Sequence, residues 1–271
     1  MAAPVDYAAA YTLAGKKSVV TGSTQGIGRC VAEQMLAVGA SVLINARTAS
    51  DVDATVAELS AAYPGKVVGA ACDTSSREGR AALLAAVVEA WGGSVDVLVN
   101  NVGVNVRQKI EELPEEDFVR MFRTNVDSCY FLCKAFLPAL KASKGCVVNV
   151  GSVAGLCSSG TGTCYAMTKG AMTAMTRNLA CEWGRFGIRV NLCAPWMTRT
   201  PLLVAAYGDM MDEKLGQVEE WTPLGRIAEP HEVAGAVVFL AMPAAAYVTG
   251  AALACDGGLT VQAFAGPCTT E

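Results

Sequence analysis

Short apolar runs alternate along the chain with longer segments whose apolar residues recur at helical spacing. The runs Ser18–Thr21, Ser41–Asn45, Val67–Ala71, Val95–Val99, Cys146–Val150, Ile188–Leu192 and Ala251–Ala254 read as seven strands. Their near-continuous apolar character suits strands buried on both faces, as in a parallel sheet. Between them the pattern predicts helices at about Gly26–Val38, Asp51–Ala62, Arg77–Trp91, Pro114–Ala142, Gly162–Trp183 and Pro230–Leu240. Strand–helix alternation implies an α/β fold with a doubly wound, seven-stranded parallel sheet flanked by helices. Ligands of such sheets bind beyond the carboxyl ends of the strands. No Pro/Gly/Ser-rich linker or charge run divides residues 1–271, so one domain is expected, with its core at about 13–258. Residues 198–225 break the alternation with methionines (Met210 and Met211), acids, Leu215, Trp221 and Pro223, and are a candidate substrate lid.

The bulk composition narrows the classes. An apolar content of 52% allows a large core, and the net charge of −4 argues against nucleic-acid or anionic-membrane partners. No long uninterrupted apolar stretch predicts a membrane span. Met1–Gly15 shows neither a basic start nor a long apolar stretch, so a cytoplasmic location is expected. Most of the eleven cysteines, such as Cys30, Cys129, Cys133, Cys146, Cys193 and Cys255, sit inside apolar runs, the setting of small buried thiols. No Cys-x-x-Cys occurs and His231 is the only histidine, which argues against a metal site and against a Ser-His-Asp hydrolase.

The first strand runs into Thr21-Gly22-Ser23-Thr24-Gln25-Gly26-Ile27-Gly28, which opens the first helix. Glycines there let the backbone turn tightly and approach a pyrophosphate, and the helix N-terminus offers free N–H groups and a positive dipole end. The spacing is Gly-x-x-x-Gly-x-Gly, not the common Gly-x-Gly-x-x-Gly fingerprint, and an ordinary strand-to-helix turn can look alike. The second strand ends Asn45-Ala46-Arg47, with no acid to take a ribose 2′-hydroxyl. A guanidinium can fork onto a 2′-phosphate, which favours NADPH/NADP+ over NADH unless Arg47 is only a solvated loop residue. Asp73 is open between an adenine contact and a turn or helix-capping aspartate. Asn100-Asn101-Val102-Gly103 is open between a simple turn and a pair that pins the crevice through side-chain bonds to neighbouring backbone.

Tyr165 and Lys169, four residues apart, share one face of a helix. A free phenol, with a pKa near 10, is a poor proton shuttle at neutral pH. A lysine ammonium and a cationic nicotinamide beside it favour the phenolate. Ser152, thirteen residues before Tyr165, follows the fifth strand and can hold a carbonyl oxygen while Tyr165 protonates it. Asn125, poorly suited to a helix interior, is open between a helix-bending residue and the holder of a water that relays protons toward Lys169.

Together these residues resemble the classical short-chain dehydrogenase/reductase family, over roughly Leu13 to Gly258. The resemblance implies a Rossmann-type domain and a tetrad of Asn125 (proton relay), Ser152 (carbonyl orientation), Tyr165 (acid/base) and Lys169 (ribose binding and pKa lowering). It implies cofactor contacts at Gly22, Ser23, Thr24, Gln25, Gly26, Ile27, Gly28, Arg47, Asp73, Asn101, Gly103, Tyr165, Lys169, Pro195, Thr198 and Thr200. Ala194-Pro195-Trp196, Thr222-Pro223-Leu224-Gly225-Arg226 and Asp256-Gly257-Gly258-Leu259-Thr260-Val261 are similar to the plant tropinone-reductase-like branch. That branch commonly has a basic residue where this chain has Gln25, so one usual 2′-phosphate contact is missing. The implied activity is NADPH-dependent reduction of a small-molecule ketone or aldehyde. The implied assembly is a homodimer or homotetramer pairing through the long helices around Pro114–Ala142 and Gly162–Trp183. Competing readings are a 3-oxoacyl-carrier-protein reductase, disfavoured by Cys181 where such enzymes commonly have arginine, and a non-catalytic NADP(H)-binding scaffold, disfavoured by an intact tetrad.

Overall fold

The structure is a computed structural model that describes residues 7–207 and 211–262. Seven strands form one parallel sheet in the order β3-β2-β1-β4-β5-β6-β7. They are β1 (Lys17–Val20), β2 (Ser41–Ala46), β3 (Val67–Ala71), β4 (Val97–Asn100), β5 (Cys146–Val150), β6 (Arg189–Pro195) and β7 (Ala252–Cys255). Every expected strand is present. β6 runs three residues beyond its expected end, because Pro195 closes the strand at a position where the ladder needs no N–H from it.

Successive strand residues feed opposite faces. On one face Val20, Val42, Val99 and Val148 pack with α1 (Gly26–Ala37), α2 (Ala49–Ala62) and α9 (Pro230–Ala241). On the other, Val19, Leu43, Leu98 and Val147 pack with α3 (Arg77–Trp91), α5 (Ser128–Ser143) and α6 (Thr163–Trp183). Apolar layers on both faces explain the continuous apolar runs of the sequence.

The segment expected as one helix over Pro114–Ala142 is α4 (Glu115–Phe122), a π-helical turn over Arg123–Asp127, and α5. Such turns insert a residue into the helical ladder and re-aim the side chains they carry. The segment expected as a substrate lid, 198–225, contains α7 (Pro201–Tyr207) and α8 (Met211–Trp221). Leu215 and Val218 of α8 pack with Met197, Leu203 and Ile227 in a small separate core. Met210 lies outside the described residues.

β1 has β2 on one side and β4 on the other, so the connections leaving β1 and β4 diverge. A crevice opens at that point beyond the carboxyl ends of the strands. Among the described residues no helix is long and apolar enough to cross a membrane, no group of His, Cys, Asp and Glu could hold a metal ion, and all cysteines are free thiols.

Candidate active site

The floor of the crevice is the turn from β1 into α1. Gly22 and Gly26 take positive φ values of 63° and 57°, which side chains rarely adopt. At Gly28 an added Cβ would lie 2.2 Å from the Gly22 carbonyl oxygen and 2.4 Å from Asn101 Nδ2, so the third glycine is required by packing. Gln25 precedes the helix without capping it by its side chain, leaving the N–H groups of the first turn without a side-chain cap. The turn is tied to β4 by Asn101. Its Nδ2 donates to the carbonyls of Thr21 and Gly22, both at 3.0 Å, and its N–H donates to Thr21 Oγ1 at 2.9 Å. Of the two open readings of this asparagine, the pin is what the structure shows.

Gly22, Thr24, Gln25, Gly26, Ile27, Arg47, Asp73, Asn101, Gly103, Tyr165, Lys169, Pro195, Thr198 and Thr200 all line one cleft. Ser23 and Gly28 do not. Ser23 is fully buried, donating to the Val20 carbonyl at 2.7 Å and accepting from Asn45 N at 3.0 Å, so its hydroxyl joins β1 to β2. Arg47 is exposed at the end of β2. Asp73 accepts from Ser75 N at 2.9 Å, the geometry of a turn aspartate, while still facing the cleft. Thr200 accepts from Leu203 N at 3.2 Å at the start of α7, and Thr198 donates to the Trp196 carbonyl at 3.0 Å.

The other end of the cleft holds Ser152, Tyr165 and Lys169. Lys169 is 3% exposed and donates from Nζ to the Val150 carbonyl at 3.0 Å. Burial pushes its ammonium down to about 8, partly offset by the nearby Cys129 thiol. Tyr165 keeps part of its surface open to the cleft, yet the protein around it pushes its phenol above the usual tyrosine range. A hydrogen bond from Ser152 and the charge of Arg107 pull it back. The expected lowering by Lys169 is not what the protein's own groups produce: Nζ lies 5.6 Å from the centre of the Tyr165 ring, and burial outweighs the rest.

Asn125 sits in the π-helical turn, fully buried and beside the cleft without lining it. Its Oδ1 accepts from Val104 N at 2.8 Å, and its Nδ2 donates to the Val104 carbonyl at 2.9 Å and to Thr168 Oγ1 at 3.0 Å. It therefore fastens the loop after β4 to α6. A Cβ on Gly103 would stand 3.4 Å from Lys169 Nζ and 3.5 Å from Asn125 Oδ1, so the two groups face one small space.

Sequence reasoning missed Arg107 and Met197, which line the same cleft. Arg107 stands four residues past Gly103 in a strand-end loop; the strand-end rule was the signal that would have found it. Trp196, noted only as part of the Ala194-Pro195-Trp196 run, lines the cleft and donates from Nε1 to Thr222 Oγ1 at 3.2 Å. Trp221 is 49% exposed and does not line it.

The fold and site define a doubly wound α/β protein in which one cleft joins a glycine-rich helix N-terminus to a half-buried tyrosine and a buried lysine. A family model described as enoyl-(acyl carrier protein) reductase matches residues 22–260. A tropinone reductase homolog of Arabidopsis thaliana is 41% identical over 258 residues, covering 94% of this chain and 96% of its own. A gluconate 5-dehydrogenase from Burkholderia cenocepacia, solved with NADP and tartrate, superposes with a TM-score of 0.87 at 30% identity, covering 94% of this chain and 98% of its own. An L-sorbose reductase from Gluconobacter frateurii, solved with NADPH and L-sorbose, gives 0.88 at 27% identity, covering 93% and 99%. The chain belongs to the short-chain dehydrogenase/reductase family of oxidoreductases.

The depressed Lys169 has a consequence for stability. The folded protein binds fewer protons than the unfolded chain between about pH 8 and the ordinary lysine value of 10.5. Stability therefore rises with pH across that window, and the full penalty of burying the charge stands below pH 8. Lys169→Met removes the penalty. At ~1.4 kcal/mol per pKa unit, less the lost bond to Val150, the variant should gain about 1–3 kcal/mol at pH 7. The gain should shrink toward pH 10. Urea unfolding of protein without added nucleotide at the two pH values measures it, and a loss of stability at pH 7 would contradict it.

Proposed function

We propose that the protein is an NADPH-dependent reductase of a ketone or aldehyde in a small molecule. The observation that carries this reading is the continuity of one cleft from the Gly22–Gly26 turn to Ser152, Tyr165 and Lys169. The residues present fit a dinucleotide. The N-terminus of α1 suits the pyrophosphate, Asp73 the adenine and Arg47 a 2′-phosphate. NADP in the gluconate 5-dehydrogenase and NADPH in the sorbose reductase support the same cofactor. When bound, NADPH supplies the hydride that reaches the carbonyl carbon.

The chain's own groups do the rest. Ser152 donates to the substrate oxygen and holds it against Tyr165. Tyr165, whose raised phenol is fully protonated at neutral pH, gives its proton to the oxygen as negative charge develops there. Lys169 holds ribose hydroxyls with its buried ammonium and stabilises the phenolate left behind. Asn125 and Lys169 face the space beside Gly103, through which a water can return the proton to Tyr165. Trp196, Met197 and Leu203 wall the substrate end.

The assembly we infer is a homodimer or homotetramer. α4, α5 and α6 expose Phe118, Val119, Tyr130, Phe131 and Met167, and a Cβ on Gly170 of α6 would meet nothing within 4 Å. A large apolar surface on adjacent helices with a small residue among them suits close helix pairing.

Three measurements test these readings. NADPH consumption over a panel of ketones and aldehydes should identify a substrate, and Tyr165→Phe should lower its turnover by about 10²–10⁴-fold with NADPH affinity nearly unchanged; turnover close to the parent's would remove Tyr165 as the acid. With NADH in parallel, the parent should prefer NADPH by roughly tenfold to a hundredfold, the worth of one charge-assisted contact. Ala46→Asp combined with Arg47→Ile should reverse that order, and an unchanged ratio would make Arg47 a bystander. Sedimentation at micromolar concentration should show a dimer or tetramer; a monomer would contradict the pairing of the exposed helices.

A further inference from the structure

Trp196 directly follows β6, half-buried and lining the cleft beside Met197, Leu202 and Leu203. Its indole is held in place. Nε1 donates to Thr222 Oγ1 at 3.2 Å, and the side chain packs against the small core of Met197, Leu203, Val218 and Ile227. Its backbone is tied at both ends: the N–H donates to the Cys255 carbonyl at 3.2 Å, and the carbonyl accepts from Thr198 Oγ1 at 3.0 Å. Thr222 is itself anchored. It is 3% exposed, donates to the Val218 carbonyl at 2.7 Å, and stands so close to Gly257 that a Cβ there would meet its methyl carbon at 2.6 Å. A ring fixed in this way has little conformational freedom left to lose when a ligand stacks on it.

The rest of that end of the cleft narrows the ligand. Ser152 and Tyr165 take the carbonyl oxygen, which leaves the carbon skeleton to Trp196, Met197, Leu202 and Leu203. Leu202 is 53% exposed, an apolar surface that a ligand would take out of water. None of these four side chains carries a charge. Among the described residues the acids in the lining are Asp51 and Asp73, which follow β2 and β3 at the nucleotide end. A cationic ring would therefore meet the indole without a carboxylate beside it, at the cost of its own hydration. A neutral flat ring gains both the apolar contacts and the preferred geometry of an aromatic pair, offset-stacked or edge-to-face.

We propose that Trp196 is the platform that selects the substrate, and that the natural substrate carries a neutral aromatic ring a short chain away from the carbonyl that is reduced. The inference rests on the carbonyl-reductase reading. Trp196 takes no part in the bond changes: the carbonyl carbon gains the hydride from NADPH and the oxygen gains the proton from Tyr165.

The test uses one ketone with four ends: 4-phenylbutan-2-one, 4-cyclohexylbutan-2-one, 4-(piperidin-1-yl)butan-2-one and butan-2-one. For the parent, Trp196→Phe and Trp196→Leu, kcat/KM is measured with NADPH. Where no turnover occurs, binding to the protein–NADPH complex is followed by nicotinamide fluorescence. The readout is the ratio between substrates, which general damage to the fold does not change. The parent should favour the phenyl compound over the cyclohexyl one by about three- to tenfold, and the cyclohexyl compound over butan-2-one by about tenfold or more. The piperidinium compound should fall below its cyclohexyl counterpart. Trp196→Phe should keep the phenyl preference, and Trp196→Leu should bring phenyl level with cyclohexyl. A parent that treats phenyl and cyclohexyl alike, or favours the piperidinium, overturns this inference alone, as does a phenyl preference that survives in Trp196→Leu. A phenyl preference in binding without turnover sinks the reductase reading and leaves the platform standing. Neither binding nor turnover overturns both.

Discussion

A single positive charge held inside the protein governs the site. The Lys169 ammonium is 3% exposed and, among the described residues, has one protein oxygen, the Val150 carbonyl, within hydrogen-bond reach. Its other close neighbour, Met172 Sδ at 3.7 Å, is a weak acceptor. A buried ammonium held this sparsely lowers the stability of the fold, which is why its pKa falls to about 8. Folds keep such groups mainly where a ligand completes their hydrogen bonding. The proposed cofactor would bring ribose hydroxyls to that point, so the same lysine that weakens the protein would strengthen its hold on the nucleotide.

The surroundings follow from that charge. β5 supplies the carbonyl that holds it, and α6 supplies the lysine and, one turn earlier, the tyrosine. The π-helical turn aims Asn125 at the β4 loop, fixing Val104 by two hydrogen bonds and keeping Gly103 beside the ammonium. Asn101, two residues before Gly103, locks the same loop to the Gly22 turn. One stretch of chain thus couples the Gly22 turn to the tyrosine–lysine end of the cleft, and its continuation carries Arg107 to Met197. Two asparagine side chains hold the β4 loop along the cleft, because each satisfies partly buried backbone groups that this arrangement brings together.

Much of this was legible in the chain. The seven strands were visible because burial on both faces writes unbroken apolar runs, and the parallel order followed from the helices between them. The cleft residues were visible because glycines, a strand-end arginine and a Tyr–Lys pair stand at strand ends, where doubly wound folds bind ligands. What failed to show was decided by contacts distant in sequence. Ser23 reads as a loop hydroxyl, yet its partner on β2 draws it into the core. The helix over Pro114–Ala142 reads as continuous, since a π-helical turn changes one hydrogen-bond register and leaves the apolar spacing almost intact. Arg107 stands in a strand-end loop, but its direction depends on contacts the spacing does not show, among them Met197, 90 residues further on.

The claim that most depends on Lys169 is that the nucleotide completes its hydrogen bonding, and proton uptake on binding tests it directly. With a pKa of about 8 in the protein alone, roughly half the lysines are neutral at pH 8. A ligand that pairs with the ammonium must draw a proton from solution to charge the remainder. Calorimetric titration of NADPH at pH 8, in buffers of different ionisation enthalpy, should show an uptake of about half a proton per site. That uptake should fall to near zero at pH 6, where the lysine is already charged, and should be absent in Lys169→Met. Binding at pH 8 without proton uptake, or with an uptake that survives in Lys169→Met, would contradict the central role given to this charge.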